Sequence, residues 1–181
     1  MRVRPSRGFT LVELLIVVAM VGVLAALAVV GYRQYLNVAH SGEAKMVLQG
    51  IRGAQEVYKA ETLVYLSCSG TYLDWYPQNG AAPSDKKHHF VQPGHSDFAC
   101  WQMLNVSTDG PVRFGYAVRA GAAAEAIPAM GGEWATPPVW PVPTVPWYVI
   151  QATGDADGDS TYSLFVTSSF SGDIYAENET E

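Results

Sequence analysis

Residues 14–30 read LLIVVAMVGVLAALAVV, seventeen positions without a charge. Counted from Phe9, the apolar stretch runs for 22 residues and is interrupted only by Thr10 and Glu13. A helix rises about 1.5 Å per residue, so roughly 20 such residues cross the ~30 Å hydrocarbon layer of a bilayer. A segment apolar on every side needs lipid or other helices around it. A cleaved secretory signal has a shorter apolar region followed by a small-residue cleavage site. Here the small-residue run Ala25-Ala26-Leu27-Ala28 lies inside the apolar stretch, so the segment reads as retained.

Charge sharpens this topology. Residues 1–8 carry Arg2, Arg4 and Arg7 and no acid, a basic leader that holds its end in the cytoplasm. All 17 acids lie beyond it against eight Lys/Arg, a net of −9 for the rest of the chain. So acidic a body argues against a protein that neutralises nucleic-acid phosphates.

The helix is expected to run on past the apolar segment to about residue 61, since no proline occurs between Pro5 and Pro77. Val47, Ile51, Ala54 and Tyr58 recur at helical spacing and form one apolar stripe. Glu43, Lys45, Gln49, Arg52, Glu56 and Lys59 fill much of the remainder as a polar face. Gly42, Gly50 and Gly53 each cost a helix about 1 kcal/mol and are places where it could bend. Residues 62–111 are punctuated by Gly, Pro, Ser and Asp and read as a long, partly irregular connection.

Strand signals follow. VRFGYAVRA (112–120), WYVIQAT (147–153) and TYSLFVTSS (161–169) are rich in β-branched and aromatic residues, and DIYAE (173–177) is a fourth, weaker run. Turns at Gly154-Asp155 and Ser171-Gly172-Asp173 favour antiparallel neighbours. An Ala/Gly/Pro-rich insertion, 120–146, separates the first two strands; Trp134, Trp140 and Trp147 surround its prolines. It is read either as an adhesive surface or as a packed cover over the sheet. The fold class is α+β, with one long N-terminal helix packed on a three- or four-stranded antiparallel sheet. The organisation read from it is a leader 1–8, an apolar helix 9–31, an amphipathic continuation 32–61 and a head 62–181, comprising the connection 62–111 and the sheet region 112–181.

Arg7-Gly8-Phe9-Thr10-Leu11-Val12-Glu13, followed by LLIVV, closely resembles the N-terminal signal of type IV prepilins and type II secretion pseudopilins. That pattern is a short basic leader, a glycine, a phenylalanine, and a glutamate at the fifth position after the cut. The resemblance is specific over residues 1–32 and weaker to about 61; beyond that only the architecture is shared. It implies cleavage between Gly8 and Phe9 by a membrane prepilin peptidase and N-methylation of Phe9. It also implies assembly at an inner-membrane platform driven by a cytoplasmic ATPase. Gly8, lacking a side chain, lets the scissile peptide extend into a protease cleft. Glu13 is an acid in an apolar segment and is costly there unless paired. In a filament it can neutralise the new α-amine of Phe9 on a neighbouring subunit and so fix the axial register. Many pilins carry a proline in mid-helix where this chain has Val30; the glycine of the pattern, Gly22, is present.

Other constellations are weaker. Asp155, Asp157 and Asp159 stand at alternate positions, a spacing that can converge on Ca²⁺. The EF-hand pattern is not met, and the simpler reading is a solvated Asp/Gly turn between two strands; calcium is the one cofactor considered. Cys68 and Cys100 lie on the outward side of the membrane. A disulfide between them closes a loop of about 30 residues and stabilises by roughly 3–4 kcal/mol, the alternative being two separately buried thiols. His88, His89 and His95 cluster with Asp97 and Cys100 but lack tight paired spacings for zinc, and read as a polar loop with Lys86 and Lys87. No catalytic arrangement emerges.

The expectation is a filament subunit without enzymatic activity, an inner-membrane precursor that becomes an extracellular pilus for adhesion or motility. Its partners are other pilin subunits, the peptidase and the assembly platform, with no nucleic acid. The alternatives are a pseudopilin of a periplasmic type II secretion pseudopilus and a membrane-tethered binding domain.

Overall fold

The computed structural model describes residues 8–78 and 83–179; Arg2, Arg4 and Arg7 of the basic leader lie outside them. Helix α1 spans Leu11–Thr62. The chain divides into two units, 1–36 and 37–181.

In the first unit the helix is unbroken through Gly22, Val30 and Gly31. Nothing in the apolar stretch is buried, and it is long and apolar enough to cross a membrane. Leu11 is 85% exposed and Val30 67%. Water is a poor solvent for such a surface at about 25 cal/mol per Å², so its partner must come from outside the chain.

The second unit contains the rest of α1, which buries Ser41, Ala44, Val47, Leu48, Ile51 and Gln55. The expected stripe is there, with Ala54 and Tyr58 packed at its margin. Gly42, Gly50 and Gly53 do not interrupt the helix. Strands β1 (Gly115–Gly121), β2 (Trp147–Gly154), β3 (Ser163–Ser168) and β4 (Ser171–Glu177) form one antiparallel sheet in that order. The strands alternate between two faces, as a period of two requires. Tyr116, Val118, Tyr148, Ile150 and Phe165 join the core under the helix. Ala117, Trp147, Val149 and Val166 point the other way, into a second core. Every residue of β2 and β3 is buried, which is the signature of central strands covered on both sides.

The sequence boundaries need two corrections. The first strand begins at Gly115 rather than 112, because Val112 exchanges both of its backbone hydrogen bonds with His88, at 2.8 Å each, instead of with β2. The last turn falls at Ser169-Phe170, not at Ser171-Gly172-Asp173; Ser168 and Ser171 pair across it, and Phe170 tucks against Trp140.

The insertion between β1 and β2 covers the second face of the sheet, with Ile127, Met130, Trp134 and Trp140 packed there. The packed reading of the tryptophans therefore holds: Trp134 lies over Tyr175 at 5.8 Å and Trp147 donates its indole N–H to the Glu125 carbonyl. Among its described residues, the connection after α1 contains one short helix, α2 (Phe98–Leu104). Its Trp101 stacks on Tyr76 at 4.8 Å, and Phe90 meets both rings edge-on.

Two buried glutamines hold these irregular segments to the frame. The Gln55 amide donates to the Leu66 carbonyl at 2.6 Å and accepts the Leu66 N–H at 2.9 Å. Gln151, on β2, does the same to Gly131, donating at 2.6 Å and accepting at 3.3 Å. Gly131 is also packed closely against the Tyr72 backbone, which a Cβ there would meet at 2.8 Å.

Candidate processing and assembly site

Gly8, Phe9 and Thr10 precede the helix in non-helical conformation. Thr10 is the residue that starts it. Its hydroxyl oxygen accepts the Glu13 N–H at 3.2 Å, while Glu13 Oε2 accepts the Thr10 N–H at 2.9 Å and the Thr10 hydroxyl at 2.8 Å. This is a reciprocal capping box, which satisfies two orphan donors of the helix terminus. The Glu13 carboxylate also lies in the first turn, where the helix dipole favours negative charge. Thr10 is the functional residue that reading the motif as a processing signal alone passes over; the spacing Thr10-x-x-Glu13 is the signal that finds it.

Both Thr10 donors land on Oε2, and Oε1 carries no bond among the described residues. Among the described residues, then, one oxygen of Glu13 is used inside the chain and the other carries no partner. Phe9, 82% exposed, stands directly before the cap. The arrangement offers a negative charge, held in place, beside the position where removal of a leader at Gly8 would create a positive one.

The remaining candidate residues lie in the second unit. Cys68 and Cys100 are joined in a disulfide across a sequence separation of 32, Cα atoms 5.3 Å apart. It ties the connection beside β1, where the Cys68 N–H donates to the Val118 carbonyl, to α2. Asp155, Asp157 and Asp159 can bring one oxygen each within 4.8 Å of one another. Asp155 is buried, and its two oxygens accept the N–H groups of Gly158 (2.7 Å) and Ser160 (3.0 Å), while Asp159 accepts from Thr161 (2.7 Å). The loop is therefore closed by its own backbone, and a hard cation would meet two exposed carboxylates, Asp157 and Asp159, with Asp155 and one oxygen of Asp159 already engaged.

The histidines do not form one polar loop. His95 is buried: its Nδ1 accepts the Asp97 N–H at 3.0 Å, which leaves Nε2 to donate toward the carbonyls of Trp75 and Gln78 at 3.1 and 3.2 Å. It is a structural brace behind Tyr76, missed because a histidine near two lysines reads as surface. His88 bridges to Val112, and His89 is exposed.

Several residues of the polar face of the helix reach the head. Lys45 pairs with Glu179, Arg52 donates to the Gly172 carbonyl at 2.8 Å, and Glu43 accepts the Arg113 N–H at 2.7 Å. His40, one turn before Glu43, has its pKa lowered by burial and by the positive charges of Arg113 and Lys87, with Glu43 opposing them.

Residues 3–29 match the model of the prokaryotic N-terminal methylation motif. The type IV major fimbrial protein FimA of Dichelobacter nodosus is 37% identical over 82 residues, 45% of this chain and 47% of its own. The type IV major pilin protein PilE1 of Neisseria gonorrhoeae is 39% identical over 88 residues, 48% of this chain and 38% of its own. The type IV major pilin protein PilA of Myxococcus xanthus is 36% identical over 78 residues, 43% and 32%. The chain spans about half, or less, of the length of these relatives. No solved structure matches it. The chain thus carries the type IV prepilin motif and shares sequence with type IV major pilins.

Proposed function

We propose that this chain, with a prepilin motif at its N-terminus, is a structural subunit of a type IV pilus. In this reading the leader 1–8 is removed between Gly8 and Phe9, Phe9 is N-methylated, and the apolar helix 9–31 with its continuation 32–61 packs subunits into a filament that displays the head 62–181. One observation carries the proposal: the methylation motif stands at the head of an apolar helix that buries nothing within its own chain. Before assembly that surface suits a bilayer, and after assembly it suits the equivalent helices of other subunits.

Glu13 then has two partners. Thr10 holds Oε2, and Oε1 accepts from the Phe9 amine of a neighbouring subunit. Charges in an apolar surrounding are costly unless directly paired, so a slip by one helical turn, which breaks the contact, leaves both uncompensated. Processing falls to a membrane prepilin peptidase and extension to an inner-membrane platform. The precursor is an inner-membrane protein with its leader in the cytoplasm; the product is an extracellular fibre for adhesion or motility. The similarity to major pilins and fimbrial proteins supports a surface pilus over a pseudopilus.

Intact mass and N-terminal sequencing of sheared surface filaments test this. The expected chain begins at methylated Phe9. A chain that keeps its leader and never leaves the cell envelope would refute the proposal and leave a membrane-tethered domain.

A further inference from the structure

The face of the sheet away from the helix is covered by a segment of unusual chemistry. From Trp134 to Gly154 the chain carries no charged residue. Within it stand Pro137, Pro138, Pro141, Pro143 and Pro146. Each proline fixes its own φ and keeps the residue before it extended, which drives a run this dense into polyproline II geometry up to the bend at Thr144-Val145. That helix has three residues per turn. Its period puts Trp140 and Pro143 on one edge and Val139 and Val142 on another. The burial follows the period. Trp140 packs on Phe170 at 6.2 Å, and Pro143 is buried with its carbonyl accepting the Ala124 N–H at 2.8 Å. Val139 and Val142 stand 94% and 82% exposed, and Val145, past the bend, 56%. The result is a stiff, uncharged apolar ridge aimed away from the head.

On the helix side of the sheet lies an open groove of about 520 Å³ between α1 and residues 107–112. Ala39, Gly42, Met46 and Gly50 form its floor, and Thr108 and Pro111 part of its wall. Nothing lies within 4 Å of where a Cβ on Gly42 or Gly50 would be, and Met46 is 71% exposed. From Ala39 to Gly50 the floor runs for roughly 16 Å at the helical rise. The two leading valines of the ridge are about 9 Å apart at the polyproline rise.

We propose that the Val139–Val145 ridge of one subunit seats in the Ala39–Gly50 groove of a second copy of this chain. The contact rests on the pilus-subunit reading and names a head-to-head surface for it. Ridge and groove match in chemistry: neither a Lys nor an Arg lines the groove, and the ridge has no acid to bury against Glu43 or Asp109. The ridge is already ordered, so it loses little freedom on docking. The two surfaces belong to opposite sides of the sheet, so each subunit can give its ridge to one neighbour while receiving another's in its groove. A contact between unlike patches that does not close on itself builds an open helical array.

The test uses filaments sheared from cells in which the full-length chain is the sole copy. The double variant Val142→Cys with Met46→Cys, treated with a short bismaleimide, is expected to give a ladder of dimers, trimers and higher species. Either single variant should give no ladder. Double-variant filaments formed at wild-type yield that stay monomeric after treatment overturn the contact. Independently, Val139→Asp with Val142→Asp should lower filament yield at least tenfold while the processed membrane pool is unchanged. Wild-type yield from that variant, even with a lost adhesive property, overturns the contact while leaving the subunit reading intact. Absence of filaments from the wild-type chain defeats the subunit reading itself, and the contact with it.

Discussion

Replacing Gln55 by Met should destabilise the head far more than a change on one side of a helix normally does. Gln55 is fully buried, and its amide answers both the N–H and the C=O of Leu66. Met fills nearly the same volume but returns neither bond. Each net hydrogen bond is worth about 1 kcal/mol, and a group left without a partner costs about 1–3 kcal/mol. Leu66 is only half-buried, so water relieves part of the loss. The expected cost is therefore about 2–4 kcal/mol. For a unit of this size that lowers Tm by on the order of 10 °C. Calorimetry of the full chain in detergent micelles measures it, and amide exchange at Leu66 should speed up selectively. Gln55→Glu, which keeps the acceptor but buries a charge, should be worse than Gln55→Met at neutral pH. A Tm for Gln55→Met within about 2 °C of wild type would refute the assignment of the connection's anchorage to this amide.

Glu13→Ala should leave leader removal intact and abolish filaments, read by N-terminal sequencing of the membrane fraction and by filament yield; normal filaments would end the register argument. Converting Cys68 and Cys100 together to Ser should cost roughly 3–4 kcal/mol, the loop-closure value for a separation of 32, seen as a lower denaturation midpoint in non-reducing urea. His40, whose folded pKa is depressed below its unfolded value, contributes stability that is full above the unfolded value and is lost as pH falls through the folded one. Tm should therefore decline as pH drops below about 6.5, and His40→Gln should flatten that part of the curve; an unchanged slope counts against it. Millimolar calcium should raise Tm by relieving repulsion among Asp155, Asp157 and Asp159, and Asp157→Asn with Asp159→Asn should remove the rise; a flat titration of the wild type leaves these residues as a turn alone.

The helix and the strand faces were legible because both rest on periodicity. An uncharged run of seventeen residues marks an apolar helix, and the β-branched and aromatic run at Trp147–Thr153 marks a strand, whose alternate residues the structure sends into two cores. Strand ends were less so, since Val112 fits a strand but spends its backbone bonds on His88, a partner 24 positions away that no local pattern announces. Buried polar residues were illegible for the same reason. Nothing in the local pattern marks Gln55 or Gln151 as buried, and His95 reads as part of a polar loop; only the tertiary fold supplies the carbonyls and N–H groups that satisfy them once buried. Lys45 and Arg52 read as members of a polar helical face, and no local pattern announces their partners, Glu179 and the Ser171 and Gly172 carbonyls at the start of β4, which lie more than a hundred residues on. In the N-terminal site, the motif gave Gly8, Phe9 and Glu13 their proposed roles, while the capping partnership with Thr10 emerged from geometry.

Helix α1 opens at Leu11, three positions after Gly8, and its lid is fastened, among the described residues, by Thr10 and Glu13. The bond proposed for cleavage thus belongs to a loose thread hanging from a finished spool. On that proposal a peptidase can draw Gly8-Phe9 into an extended cleft without unwinding a turn of α1. Maturation on this account changes only what the thread's end displays: a leader is exchanged for a charge, and the helix presented to the membrane remains the one that enters the fibre.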